Sequence, residues 1–581
     1  MYLKVTKAKE HEYLKIVESY RDKSDGKIKH RVLFNLGRLD KLVKHTALID
    51  KLVQKLGGGR YVKIDDINKG SDASVYNYGY IVLRRIWKIY KLDTLFSSLL
   101  KTEAISNTDR AIADIFSLVI NRALLSEASK YGYYKNRDRF LFLNESLKLH
   151  DLYRSLELME KFKEDIEKHL FSINADLFNS DLSVAFYDVT TLYFESKRED
   201  TDTKEQKGLR KFGLSKDYKI NETQIVLSLL IDKNGIPVTF EIYEGNRAET
   251  STLLDTLDRL KSRFGISKVT IVADRGIAKW LNLSEIKARG YEYITAVSFR
   301  QDRELMKMVT DKEGYRQISF DEDRGYYGYK AFEYTKRKRL KVYPGYSMYD
   351  DPNQKEYIYK EITLSHTIIS TYSDKRAKKD ESDRNRALQK LQKSIERGSA
   401  LKKSKYLKLS SGSCSKELEI DLQKIEEDSK FDGFYALASS DSSLQPMEVI
   451  KIHKTIYDIE NAFRDIKHSL SIRPIYHYKK ERIKGHIIVS FLAYFLLKQI
   501  EYRMKCSKKV QERMEKEEET LSIKKIVNAL NSMNVTKTSI QDRMFYLRHA
   551  HDKTASRIID LLKIKLPSNI MDEPSMRLYI S

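Results

Sequence analysis

Hydrophobic positions change their period along this chain. Residues 1–60 carry short alternating runs, YLKIVESYR and HRVLFNLGRL, split by the polar turn DKSDGK. They predict a small β-rich N-terminal module. Over residues 61–175 the apolar positions recur at helical spacing, as in YIVLRRIWKIYKLDTLFSSLL and TDRAIADIFSLVINRALL. That region reads as helical, with its stripes turned to a core. From 176 to 300 strand patterns take over. A strand over 183–195 comes first, and then TQIVLSLLID and PVTFEIYEG flank KNGI, a hairpin signal. A helix over ETSTLLDTLDRLKSRF follows, with Asn246, three residues before Glu249, read as its N-cap partner. Next come a strand over 269–274, a helix around LSEIKARG and a strand at YITAVS.

Three strands, a helix, a strand, a helix and a strand is the order of an α/β ribonuclease-H-like fold. In that order the first and fourth strands are neighbours. Residues 301–430 interrupt the pattern with strand-like pieces (RGYYGYKAFEY, YIYKEITLS), the basic run KRKRLK and a highly charged stretch beginning SDKRAKKDESD. A charge run of this kind is ordinarily a solvated helix or hairpin, and its basic excess also admits DNA contact. FDGFYALASS resumes as a strand, and the remainder, from about 446, is patterned as helix.

Against that framework two acids stand out. Asp188 lies inside the strand-forming run VAFYDVTTLYF, and Asp274 ends the run KVTIVAD. Strands disfavour Asp, although a single one at a strand end is an ordinary turn former. Two carboxylates on adjacent strands repel each other unless a cation lies between them. Hard oxygen ligands suit Mg²⁺ or Mn²⁺, which points to metal-dependent phosphoryl transfer.

A third acid comes from PMEVIKIHKTIYDIENAFRDIKHSL, read as one helix with Pro446 in its first turn. Ile452, Ile456, Ile459, Phe463, Ile466 and Leu470 form its apolar stripe. On a continuous helix Glu460, Arg464 and Lys467 share one face, within about 20° over seven residues. Taken alone, a Glu–Arg pair at this spacing is a common surface feature. Beside Asp188 and Asp274 it becomes a metal ligand, Glu460, with two phosphate-binding cations, Arg464 and Lys467.

Bulk composition agrees. Lys+Arg exceeds Asp+Glu by 107 − 83 = 24 charges, which favours a polyanionic partner. The apolar run IIVSFLAYFLL (487–497) is too short to span a bilayer and reads as a buried helix. No apolar signal-peptide core marks the N-terminus, and Cys414 and Cys506 are the only cysteines. The expectation is a cytoplasmic protein with no disulfide framework and no membrane partner.

The stretches YDVTTLYFES, GLSKDYKINETQIVLSLLIDKNGIPVTFEIYEGNRAET, VTIVADRG, FDGFYALASS, IENAFRDIK and RPIYHYKKERIKGH occur in that order across residues 183–500. In these the chain resembles the DDE transposases of bacterial insertion sequences, in particular long members of the insertion-sequence-4 superfamily with an N-terminal extension. Glu460 and Lys467 match the E-x6-K end of that superfamily's Y-x2-R-x3-E-x6-K signature. His453 and Ile456 stand where its Tyr and Arg are found, so Arg464 becomes a candidate for part of the missing positive charge.

The resemblance implies a ribonuclease-H-like core in two parts, 176–300 and 431–500, interrupted by a β-rich insertion over 301–430. A mixed α/β N-terminal region (1–60 and 61–175) would precede it, and a helical C-terminal region (501–581) would follow. It also implies two Mg²⁺ (or Mn²⁺) ions on Asp188, Asp274 and Glu460. The partners it implies are double-stranded DNA, as terminal inverted repeats and target, and a second copy of the chain pairing two ends. Recognition of the ends is expected of the N-terminal residues 1–175. Another ribonuclease-H-like nuclease, such as a junction resolvase, is disfavoured by the long insertion and the E-x6-K helix. A transposase-derived DNA-binding protein that has lost catalysis is disfavoured by the presence of all three acids.

Overall fold

The computed structural model describes residues 2–8, 11–21, 28–43, 74–125, 129–178, 182–202, 207–214, 221–321, 325–342, 357–396, 404–409, 418–540 and 543–580. The turn DKSDGK, residues 44–60 of the N-terminal module, residues 61–73 of the expected helical region and residues 215–220 of the GLSKDYKINETQ stretch lie outside the described residues. So do 343–356, 397–403 and 410–417 of the 301–430 segment, with Cys414. The chain divides into two units. One is Met1–Tyr76 with Val535–His549 and Pro567–Ser581; the other is Asn77–Asn534 with Ala550–Leu566.

In the first unit, β1 (Tyr2–Ala8), β2 (His11–Arg21) and β3 (Ile28–Arg38) form the antiparallel sheet that the alternating runs predict. A short strand β4 (Ser74–Asn77) belongs to a separate sheet.

The second unit opens with helices that include α1 (Tyr80–Ile89), α2 (Leu92–Thr102), α3 (Thr108–Leu124), α4 (Leu149–Lys161) and α5 (Lys163–Phe178). Then the core sheet begins. β5 (Val184–Tyr193), β6 (Gln224–Asp232) and β7 (Pro237–Glu244) run antiparallel. The β6–β7 turn is the KNGI hairpin: Gly235 takes φ +75°, and Asp232 Oδ1 accepts from the Asn234 and Ile236 amides at 2.8 Å. Helix α6 (Glu249–Phe264), strand β8 (Thr270–Ala273), helix α7 (Trp280–Ala288) and strand β9 (Glu292–Ala296) follow in the expected order. The N-cap of α6 is Ala248, with no side-chain cap, so Asn246 does not play the capping role its spacing suggests.

β5 pairs in parallel with β8, and β8 with β9. The first and fourth core strands are therefore neighbours. Strands β10 (Arg316–Asp321), β11 (Gly325–Val342) and β12 (Ile358–Ser373) continue the same sheet through β15 (Phe434–Ser439). A two-stranded ribbon, β13 (Leu407–Leu409) and β14 (Leu418–Ile420), stands apart. The order in the large sheet is β10-β11-β12-β15-β9-β8-β5-β6-β7. The strands of 301–430 thus extend the core sheet, because β15 pairs antiparallel with both β9 and β12. The first part of the charged stretch after β12 is a helix, α8 (Asp374–Glu396), with no buried residue.

The last part of the chain corrects one expectation. Within 501–581, described as helical from its pattern, β16 (Asn534–Ile540), β17 (Arg543–Arg548) and β18 (Ile570–Asp572) are strands of the β18-β17-β16-β4 sheet. Val535, Thr536, Thr538 and Ile540 are β-branched and favour the extended chain, while strong helical stripes on either side dominate the averaged pattern.

One face of the large sheet buries Ala185, Tyr187 and Val189 of β5 and Ile271 and Ala273 of β8, together with Leu253, Leu257 and Leu260 of α6. Tyr187 Oη donates to Thr252 Oγ1 at 2.8 Å, tying β5 to α6. A buried charge network locks α5, β7 and α6 together. Arg263 Nη1 lies 2.5 Å from Glu167 Oε2 and 3.1 Å from Glu241 Oε1, and Lys163 reaches both acids at 3.0 and 3.2 Å. Removing one member strands the others without solvent, so Arg263→Ala is expected to cost about 3–5 kcal/mol of stability. Urea unfolding checks this; a loss below about 1 kcal/mol would mean that water re-solvates the two glutamates.

The long helix α11 (Lys480–Cys506) is long and apolar enough to cross a membrane, but 94% of its most apolar window is buried inside this fold. It packs against α3, α4 and β7. At Gly485 a Cβ would fall 1.9 Å from the Leu156 carbonyl oxygen, so the helix backbones meet where only glycine fits.

Candidate active site

Asp188 and Asp274 owe their placement to the β5–β8 ladder. The last registered pair is Tyr187 with Ala273, and each aspartate is the next residue on its strand line. Side chains alternate across a sheet. Tyr187 enters the α6 face, so Asp188 lies on the opposite one, and Asp274 is the first residue after β8 ends at Ala273. Asp188 is half-buried and Asp274 exposed. Asp274 Oδ1 accepts from the Arg275 amide at 2.7 Å, and its carbonyl accepts from the Ile277 and Ala278 amides at 3.0 Å.

Glu460 arrives from a helix that is not the continuous one expected. α9 (Pro446–Lys454) ends, the chain turns at Thr455–Ile456, and α10 (Tyr457–Arg464) follows. Pro446 does open the first helix, and Glu448 Oε2 accepts from the Gln445 amide at 2.8 Å, which gives Glu448 a capping role. α10 packs against β5 and β6, and it carries Glu460 exposed.

After Arg464 the helix widens into a π-helical turn, Asp465–Ser469. Such turns concentrate at functional sites. The wider turn rotates Lys467 off the face that a uniform 3.6-residue period would give it, so the single face of Glu460, Arg464 and Lys467 is not realised as expected. Arg464 folds along its own helix, donating to Tyr457 Oη at 3.0 Å and to Asn461 Oδ1, while the Glu460 charge lies near enough to favour its cation. Lys467 is half-buried within the π turn.

The structure therefore places Asp188 on β5 and Asp274 just past the end of the neighbouring strand β8, and packs the Glu460 helix against the strand that carries Asp188. Among the described residues, no three acidic, histidine or cysteine side chains converge closely enough to hold a metal ion. In chemical type the three carboxylates suit a hard divalent cation.

A cavity of about 740 Å³ opens nearby, lined by His453, Lys454, Tyr435, Tyr327 and Arg376 among others. Burial holds His453 neutral, pushing it down to about 4 against the pull of the Asp274 charge. Its ring lies 5.8 Å from that of Tyr435, whose face Arg376 covers at 4.4 Å, and Lys454 lies over Tyr327 at 4.8 Å. Burial raises the Tyr435 phenol, with Asp274 adding to the effect against Arg376. Arg376 and Tyr327 escape sequence reasoning. The only signals for them are the basic pair opening the charged stretch and the tyrosines of RGYYGY.

A sheet of this order, with β5, β6 and β7 antiparallel and β8 and β9 parallel beside β5, is of the ribonuclease-H-like class. Residues 179–496, more than half of the chain, match the transposase DDE domain, and residues 3–60 match the N-terminal domain of the IS1634 family transposases. The chain belongs to the DDE transposase family and is a transposase of insertion-sequence DNA transposition. No curated protein matches it.

Proposed function

We propose that this transposase cleaves the inverted-repeat ends of its element and joins them to target DNA, with Asp188, Asp274 and Glu460 as the catalytic acids. The observation that supports this reading is that Asp188 lies on β5 and Asp274 directly follows its parallel neighbour β8, while the Glu460 helix α10 packs against β5. Asp188, Asp274 and Glu460 would hold Mg²⁺ or Mn²⁺, two ions in all, which when bound would supply activation of the attacking water or 3′-hydroxyl and neutralise the leaving oxygen. Glu460, exposed on α10, would be the third ligand. Lys467 and Arg464 hold non-scissile phosphates as positive charges. Such contacts carry no sequence information, so the N-terminal residues, 1–60 and 61–175, are assigned to reading the ends. The working form is a homodimer on paired ends in the bacterial cytoplasm. Within the family the E-x6-K spacing of Glu460 and Lys467 supports the insertion-sequence-4 superfamily.

Incubating purified protein with Mg²⁺ and labelled element ends, then mapping the cut, tests the reading; binding without any cut would make the chain a DNA-binding derivative. The net charge of +24 predicts strong salt dependence. DNA affinity should fall by about 10³-fold or more between about 50 and 200 mM salt if six or more phosphates are neutralised. A flat plot of log affinity against log salt would assign the charge to some other partner.

A further inference from the structure

Helix α8 (Asp374–Glu396) spans 23 residues and buries none of them. A helix without a buried apolar face needs paired charges or outside contacts to persist. One side of α8 has such contacts. Arg384 makes a two-pronged pair with Asp432, Nη1 to Oδ1 at 2.7 Å and Nη2 to Oδ2 at 2.6 Å. Asp380 Oδ2 accepts from the Gly433 amide at 3.1 Å, and Asp374 Oδ2 from the Tyr326 amide at 2.7 Å. Ala377 lies on the same side: a Cβ built on Gly433 would come within 3.0 Å of its own. Half-buried Leu388 and Leu391 follow on that side by the helical period.

The opposite side is a stripe of cations. At about 100° per residue, Lys375, Lys379, Arg386, Lys390 and Lys393 fall within about 60° of arc, and no other side chain of the helix does. All of them are exposed. Asp383 borders the arc, 3.6 Å from Arg386. Lys375, Lys379, Lys390 and Lys393 form no ion pair among the described residues. Like charges stand four residues apart at Lys375–Lys379 and Arg386–Lys390, an arrangement that weakens an isolated helix. The basic run KRKRLK of β11 differs. Lys336 pairs with Asp302 and Arg337 with Glu361, while Lys338, Arg339 and Lys341 lie over the rings of Trp280, Tyr359 and Tyr357. The α8 stripe thus carries charge that the fold does not neutralise, and it lacks the apolar centre of a protein interface. Its starting point is fixed. Lys375 and Arg376 line the cavity of about 740 Å³ that holds His453, whose imidazole feels the Asp274 charge. From Lys375 to Lys393 the stripe extends about 27 Å, over which a B-form duplex advances about eight base pairs.

We propose that α8 is a rail for duplex DNA, with Lys379, Arg386, Lys390 and Lys393 on backbone phosphates of the duplex that leads away from the candidate active site. The surface goes beyond the assigned acids but rests on the reading that DNA is the partner. Contacts of this kind hold the duplex in position and do not read its sequence.

The test uses the full chain in EDTA, so that binding is read without cleavage, and labelled duplex DNA of arbitrary sequence over a range of salt. Lys379→Gln, Arg386→Gln, Lys390→Gln and Lys393→Gln combined should weaken binding at least about a hundredfold near 0.1 M salt and reduce the salt slope by about three to four. The arginine versions of the three lysines should bind as the wild type does. A second combination, Lys508→Gln, Lys509→Gln, Arg513→Gln and Lys516→Gln, removes the same charge from exposed positions on another helix, Lys508–Lys516. It should weaken binding far less, because only distant, screened attraction is lost. The stripe variant should melt no lower than the wild type, since it removes like-charge neighbours. If it does not fold, Lys390→Gln with Lys393→Gln carries the same expectation at a slope change of about two. Unchanged DNA affinity in the folded variant overturns the proposal and leaves the stripe to an acidic protein or an anionic membrane. An equal loss in both combinations also overturns it, because net charge alone would then explain the effect. Failure of the wild type to bind DNA sinks the DNA reading itself. Cleavage with Mg²⁺ is followed on the same preparations with labelled element ends: a normal stripe effect without wild-type cleavage sinks the catalytic reading alone.

Discussion

Asp188→Asn and Asp274→Asn are each expected to reduce DNA cleavage by at least about a thousandfold while leaving end binding within about twofold. The size follows from what a carboxylate does beside a divalent cation. Loss of several kcal/mol of transition-state stabilisation, at about 1.4 kcal/mol per tenfold, removes three or more powers of ten. Binding survives because it rests on cations distributed over a chain of net charge +24. The geometry adds a readout independent of activity. The two aspartates occupy matching positions just past the last pair of the β5–β8 ladder. Asparagine matches aspartate in size and its amide oxygen can still accept from the Arg275 amide at position 274, so either variant should leave the melting temperature nearly unchanged. Mg²⁺ should stabilise the wild type and lose that effect in both variants. Cleavage retained by either variant would remove that acid from the site. Retained Mg²⁺ stabilisation without cleavage would place the metal elsewhere.

How far the sequence foretold this site can be judged residue by residue. Asp188 was conspicuous because a strand of β-branched and aromatic residues has no local reason for a carboxylate, and Asp274 because it closes a second such run. The KNGI turn and the alternation of strand and helix then placed β5 beside β8, since short connections leave few ways to order such strands. What escaped depended on packing between distant segments. The π turn at Asp465–Ser469 is set by the surroundings of the helix, and a 3.6-residue period read from sequence cannot contain it. His453 and Arg376 line one cavity although 77 positions separate them in sequence. The joining of β12 to β15 is likewise a long-range pairing, and the same alternation would suit a free-standing sheet.

Glu460→Gln is the third substitution expected to cost most of the cleavage, and its neighbours make the test sharp. The same helical stretch offers Asp458 and Asp465. Both now have structural surroundings that account for them. Asp458 packs near Gly235 and Lys498: a Cβ built on Gly235 would lie 3.0 Å from Lys498 Cε and 3.8 Å from Asp458 Cβ. Asp465 accepts from Ser469 Oγ at 2.9 Å inside the π turn, and burial raises its carboxyl with the Glu501 charge adding to the effect. Both acids lie within electrostatic reach of the buried Tyr494 of α11. Glu460 instead stands exposed on the helix that packs against β5. Asp458→Asn and Asp465→Asn should therefore keep most of the cleavage. Asp465→Asn should change stability by less than about 2 kcal/mol, because an amide can still accept from Ser469. Glu460→Gln should fold with unchanged stability and cut at least about a hundredfold more slowly, the loss expected of a third carboxylate beside the two proposed aspartate ligands. Lys467→Ala should weaken cleavage through phosphate positioning while leaving Mg²⁺ stabilisation intact. Normal cutting by Glu460→Gln, with loss in Asp458→Asn or Asp465→Asn, would show that the π turn sets a different helix face toward the aspartates. The E-x6-K spacing would then be coincidence.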